Sequence, residues 1–108
     1  MVLGVMIKEG QSNKELAALW EKLPNTEGKK ADLDANTAPN LNTLIPATSH
    51  HLFYKGSLTT PPCTEGVQWG LFEQAIELSK SQIKKFQKLF PENHRPTQPA
   101  NEREVIED

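Results

Sequence analysis

The chain has 108 residues, enough for one domain and no more; a domain of this size leaves about a third of its surface exposed. Twelve basic against fourteen acidic residues give a net charge of −2, which speaks against nucleic acid or an anionic membrane as a partner. No apolar run is long enough to span a bilayer. Hydrophobic content is 36%, low for a globular domain, and eight prolines are many for this length.

Residues 2–8 read as a strand. Val2 to Ile7 is too short for a signal peptide and lacks a basic lead. As a buried strand it needs neighbours on both sides, so we expect further sequence ahead of it. Ser12-Asn13-Lys14-Glu15 has the Ser and Glu spacing of a capping box. Leu16, Leu19, Trp20 and Leu23 then fall at i, i+3, i+4 and i+7, an amphipathic helix that Pro24 ends. Trp20 on that stripe is expected to pack in the core. Residues 25–39 are polar and read as loop, with a short turn near Ala31–Leu33. Leu41, Leu44 and Ile45 form an apolar patch before Pro46 that we expect to pin the loop to the sheet edge.

His50-His51 has the look of a metal pair, but neighbours on a strand point to opposite faces and cannot reach one ion. Solvated or packing histidines are the expectation, since strand ligands to zinc stand two residues apart or on different elements. Leu52, Phe53 and Tyr54 have strand-forming side chains. Gly56 can take angles closed to other residues, and Pro61 and Pro62 fix φ and cannot sit in a central ladder. Val67 and Trp69 alternate with Gln68 and Gly70, and residues 67–73 read as the next strand. Thr59 and Thr60 are thus two hydroxyls on a stiff loop at a strand end. From the residues alone this is either a plain Pro-Pro turn whose threonines cap local backbone or a loop that aims a group at a ligand.

Ser79-Lys80-Ser81 opens a second helix. Ile83, Phe86, Leu89 and Phe90 lie on one side, and the lysines around them read as a solvated face. Pro91 stops it. Pro96 and Pro99 keep the following segment extended and out of central ladders. The tail from Glu102 to Asp108 has only Val105 and Ile106 as apolar anchors, which leaves edge pairing and fraying both open. Periodicity alone gives about three strands and two helices.

Gly56-Ser57-Leu58-Thr59-Thr60-Pro61-Pro62-Cys63-Thr64-Glu65-Gly66-Val67 with Trp69 resembles the signature loop of alpha-class carbonic anhydrases, in the Cys form of the bacterial and secreted members. Met1 to Lys8 resembles the family strand that follows the last zinc histidine. Asn93-His94-Arg95-Pro96-Thr97-Gln98-Pro99 resembles its near-C-terminal Asn-x-Arg-Pro-x-Gln-Pro segment. The resemblance spans residues 1–108 but covers only the C-terminal half, or a little less, of the family's single domain. It implies an α+β fold: a fragment of the mainly antiparallel central sheet of the alpha-carbonic anhydrase fold, with peripheral helices.

The activity implied is the reversible hydration of carbon dioxide to bicarbonate. In that enzyme, the reference case for the effect, zinc lowers the pKa of its bound water to about 7. The resemblance casts Thr59 as the hydroxyl that accepts the proton of the zinc-bound hydroxide and passes its own to a carboxylate, with Thr60 beside the bicarbonate. Val2, Leu58, Val67 and Trp69 match the apolar wall for carbon dioxide. Tyr54 matches a buried tyrosine in the hydrogen-bond network near the site. Asn93 matches a position whose backbone carbonyl orients a zinc histidine.

The family's three zinc histidines, and the carboxylate that receives the Thr59 proton, lie ahead of Val2 in the resemblance. None of His50, His51 and His94 matches a ligand, and no His-x-His exists in the chain. We therefore expect no catalytic zinc and no enzymic rate from this chain alone, with its partner either the missing N-terminal half or a second copy met through open sheet edges. A carbonic-anhydrase-like binding module is the alternative. Cys63 is the one cysteine. Its partner in the Cys-bearing relatives lies near the N-terminus, so the expectation here is a free thiol or an intermolecular bridge. Relatives with this Cys pattern are commonly exported, which points to the periplasm or outside.

Overall fold

A computed structural model describes the chain except for residues 25–27, 37, 48 and 49. Its elements run β1 (Val2–Glu9), α1 (Lys14–Glu21), α2 (Leu41–Leu44), β2 (His51–Ser57), β3 (Glu65–Leu78), α3 (Lys80–Leu89) and β4 (Ile106–Glu107). The strands form one sheet in the order β1-β3-β2-β4. Two compact units divide the chain: Met1–Met6, Pro46–Ala75 and Asn93–Asp108 make the first, and Ile7–Ile45 with Ile76–Glu92 make the second.

In the first unit β2 and β3 pair antiparallel, with Tyr54 opposite Trp69 and Phe53 opposite Gly70. Alternation sends Tyr54, Trp69 and Leu71 to one face and Phe53 and Phe72 to the other. Phe72 is buried and packs edge-to-face with the His51 ring, their centroids 4.7 Å apart. The tail pairs rather than frays: β4 lies antiparallel to β2, with Ile106 opposite Phe53 and Glu107 opposite Leu52. The Asp108 N–H adds a bond to the His51 carbonyl at 3.1 Å.

The second unit is organised around the start of its two longer helices. The first cap differs from expectation: Asn13, not Ser12, is the N-cap of α1, its Oδ1 accepting from the Leu16 N–H at 3.0 Å. No capping box closes there, because with Asn13 as the cap the third helical position is Leu16, and the Glu15 carboxylate accepts instead from the Asn40 N–H. The complete capping box is at α3, between Ser79 and Gln82. Gln82 also reaches α1: its Oε1 accepts from the Asn13 N–H at 2.9 Å and its Nε2 donates to the Asn13 carbonyl at 3.0 Å. Trp20 packs as expected. Its Nε1 donates to the Gln82 carbonyl at 2.8 Å and its ring stacks on Phe86 at 6.1 Å. Leu16 and Leu78 are the buried apolar anchors.

Other boundaries move. Helix α1 stops at Glu21, three residues before Pro24. Strand β3 runs to Leu78 rather than 73, since the Leu78 carbonyl accepts from the Gly10 N–H at 2.9 Å. Glu73, Gln74 and Glu77 are exposed, so a polar pattern hid a strand that the ladder holds. The loop turn falls at Ala35–Asn36, where Asp34 Oδ1 accepts from the Asn36 N–H, rather than at Ala31–Leu33. Leu41 and Leu44 form the short helix α2, capped by Asn40. Leu41 and Ile45 are exposed and do not form the apolar pin, while Leu44, the third residue of that patch, is half-buried.

Candidate functional site

The loop between β2 and β3 is closed by backbone. Leu58 N–H donates to the Thr64 carbonyl at 2.9 Å, and within that closure Cys63 N–H donates to the Thr60 carbonyl at 2.8 Å. Pro61-Pro62 is a cis peptide between them, and Cys63 and Gly66 have φ of 55° and 82°. A register shift between Gly56 and Ser57 places Ser57 opposite Glu65. The Ser57 carbonyl accepts from Trp69 Nε1 at 3.0 Å, which ties the loop's root to an aromatic ring of the sheet. Gly56 is required by that ring pair: a Cβ there would stand 2.9 Å from Trp69 Cδ1 and 3.2 Å from Tyr54 Cε2.

Thr59 is exposed and lines a cleft of about 320 Å³ together with Tyr54, Trp69, Arg95, Gln98 and Arg103. Three of the residues singled out in the sequence therefore share one cavity. Val67 is half-buried, opposite Gly56 and two residues from Trp69, hence on the same face. Val2 reaches that face too. A Cβ on Gly4 would touch Leu71, so Gly4, Leu71, Trp69 and Val2 alternate onto one side. Leu58 is 38% exposed in the loop. Thr60 is exposed, and its carbonyl serves the turn. Asn93 is exposed and stands outside the residues that line the Thr59 cleft.

Sequence reasoning missed the two arginines. Arg95 Nη1 donates to Ser57 Oγ at 3.0 Å. Arg103 donates from Nη1 to the Lys55 carbonyl, from Nε to that of Ala100 and from Nη2 to that of Pro99, and its guanidinium lies 5.9 Å from the Tyr54 ring centroid. Arg95 sat inside the quoted Asn-His-Arg-Pro segment and could have been found there; nothing local marked Arg103.

The histidines act on the tail. His50 Nδ1 is 2.7 Å from the Asp108 backbone oxygen, and His51 Nδ1 is 3.0 Å from its carboxylate. Two neighbouring histidines thus reach one residue, although through different atoms. The side-chain bond from His51 holds the Asp108 carboxyl below its ordinary value, and the bond to the Asp108 backbone holds His50 above the ordinary imidazole value. His94 is exposed. Among the described residues no group of three or more His, Cys, Asp or Glu could hold a metal ion. Two of the chain's three histidines are engaged at Asp108. Cys63 is a half-buried free thiol.

The site and the sheet together define a class, the alpha-carbonic anhydrase fold. The alpha-carbonic anhydrase of Thermovibrio ammonificans in complex with sulfanilamide superposes with a TM-score of 0.87 at 42% identity, covering 95% of this chain and 45% of that one. The Photobacterium profundum alpha-carbonic anhydrase gives 0.87 at 38%. The family model for eukaryotic-type carbonic anhydrase matches residues 1–108, and the chain belongs to that family. Among curated relatives it is 40% identical to a carbonic anhydrase of Nostoc sp. and 39% identical to one of Neisseria gonorrhoeae. It covers 98% and 99% of itself in those matches but only 40% and 42% of the relatives' length.

Proposed function

We propose that these residues supply the hydroxyl loop and part of the substrate wall of a carbonic anhydrase domain that interconverts carbon dioxide and bicarbonate, and that they are inactive without the rest of the domain. The observation that carries this is the position of Thr59, exposed on a backbone-closed loop and lining one cleft with Tyr54 and Trp69. A threonine hydroxyl has one proton to give and two lone pairs. It can accept from a group at the reacting centre only if it donates elsewhere, and that sets the direction of the hydrogen bond. Thr60, next on the loop, supports the bicarbonate. Val2, Val67, Trp69 and Leu58 form the apolar side against which carbon dioxide rests. Asn93 positions a histidine of the segment that completes the domain. The zinc belongs to that completed domain, because the side chains of this chain do not provide for it.

Zinc content and carbon dioxide hydration of the purified 108 residues test the proposal, each with Thr59→Ala as control. No bound zinc and no activity above buffer is the expected result. One zinc per chain with Thr59-dependent activity would overturn it.

A second reading has its own support. Leu3, Met6 and Ile7 on β1, the strand at one end of the sheet order, are 57%, 57% and 51% exposed. An exposed apolar strand at a sheet edge favours pairing with a further chain, so self-association through β1 accompanies the isolated chain. A sedimentation profile that stays monomeric across concentration would exclude it.

A further inference from the structure

Beside the Thr59 cleft lies a second one of about 430 Å³, and Ser57, Arg95, Gln98 and Arg103 line both. The second adds Lys55, Cys63 and Glu65 to its wall. Its charged lining is therefore three cations against one carboxylate. Arg95 is half-buried, and a hydroxyl, Ser57 Oγ, is its hydrogen-bond acceptor. Among the described residues neither Arg95 nor Arg103 has a carboxylate within 4.0 Å, Glu65 included. A partly buried charge without a counter-charge is costly. Arg103 is held in place by carbonyls of Lys55, Pro99 and Ala100, which fix its position without neutralising it. Two guanidiniums on one concave wall, each a planar fork of donors, form the arrangement that suits a carboxylate-like oxyanion.

We propose that the Arg95–Arg103 cleft binds an oxyanion of carboxylate geometry, with Arg95 as the principal donor and Gln98 beside it. Two sources share that chemistry: a small free oxyanion, and an Asp or Glu side chain from sequence beyond these residues. The site is built from side chains of this chain alone, and although Ser57, Arg95, Gln98 and Arg103 also line the Thr59 cleft, it is tested by the arginine variants and not by the hydration assay.

The test is a titration of the 108-residue chain with sodium bicarbonate and, separately, with sodium acetate, at constant ionic strength held by sodium chloride. The signal is the indole N–H resonance of Trp69, which is bonded to Ser57 and lies next to Arg95's acceptor. The indole of Trp20, bonded to Gln82, is the internal reference for folding. A saturable shift at Trp69 with Trp20 unmoved is expected, abolished in Arg95→Gln and weakened in Arg95→Lys, which keeps the charge and loses the fork. A linear drift, or a shift unchanged in both variants, would overturn the proposal. If Arg95→Gln alone disturbs the Trp20 signal, Arg95→Lys and Arg103→Gln decide: loss of saturation in either supports the site, and full saturation in both overturns it. Saturation by acetate but not by bicarbonate assigns the site to a protein carboxylate; saturation by bicarbonate assigns it to a free oxyanion.

Discussion

Tyr54 and Trp69 stand directly opposite each other on β2 and β3, with ring centroids 6.3 Å apart and planes 6° from parallel. This stacked pair is the floor on which the loop rests. Trp69 holds the loop's root through the Ser57 carbonyl, Arg103 lies over the Tyr54 ring, and both rings close over Gly56. The aromatic contact and the hydrogen bond thus act on the same short piece of chain, just before Thr59.

Gly56→Ala is the most direct probe of that floor. The new Cβ would meet Trp69 Cδ1 at 2.9 Å and Tyr54 Cε2 at 3.2 Å, and ring atoms cannot swing aside like the end of a lysine. Overpacking of this kind costs about 1–3 kcal/mol, read as a lower urea midpoint.

Thr59→Ala should leave stability nearly unchanged, because the side chain is exposed; surface changes of this type stay within about 0.5 kcal/mol. In a completed domain, activity should fall by about 10²–10³-fold, the scale of losing one aimed hydrogen-bonding group at a reacting centre. Equal loss of activity and stability would mark Thr59 as structural instead.

Gln82→Ala should destabilise the second unit. Gln82 is 8% exposed, and its Oε1 is the acceptor for the N–H groups of both Asn13 and Ser79. Leaving buried donors unmet costs about 1–3 kcal/mol each. Loss of the Trp20 fluorescence environment ahead of global unfolding would follow, since Trp20 donates to the Gln82 carbonyl.

The pairing of β4 with β2 should depend on pH at both ends. The Asp108 carboxyl is lowered chiefly by its hydrogen bond from the His51 side chain. A depressed carboxylate stabilises above its unfolded value, and the contribution fades as pH falls through the folded one. His50 is raised chiefly by its bond to the Asp108 backbone. That contribution is full below the ordinary imidazole value of 6.5 and is lost as pH climbs through the raised one. Exchange protection of the Asp108 amide, which donates to the His51 carbonyl, should therefore peak on the acid side of neutrality. Asp108→Asn should remove the acid limb and leave the alkaline one.

The elements with strong local signals were legible in advance. Leu16, Leu19 and Trp20 recur at helical spacing and form α1; Ile83, Phe86 and Leu89 do the same in α3. Leu52 to Tyr54 and Val67 to Trp69 alternate and form the strands around the loop. The family was legible as well, since the Gly56-to-Trp69 stretch carries the resemblance in nearly consecutive residues. These features share one physical basis: a periodicity or a turn is set by neighbours along the chain.

Tertiary structure decided what depends on partners far away in sequence. Asn13 won the α1 cap because Gln82, 69 residues on, holds its backbone, while Glu15 turned to Asn40. The far half of β3 extends through exposed Glu73, Gln74 and Glu77 because a ladder, not side-chain pattern, holds it. The two histidines found a use at Asp108, 58 and 57 residues away, and Arg103 entered the cleft from a segment with no local mark of it. A hydrogen bond or ion pair is specified by where the fold brings two groups together, and that position is written in neither group's own neighbourhood.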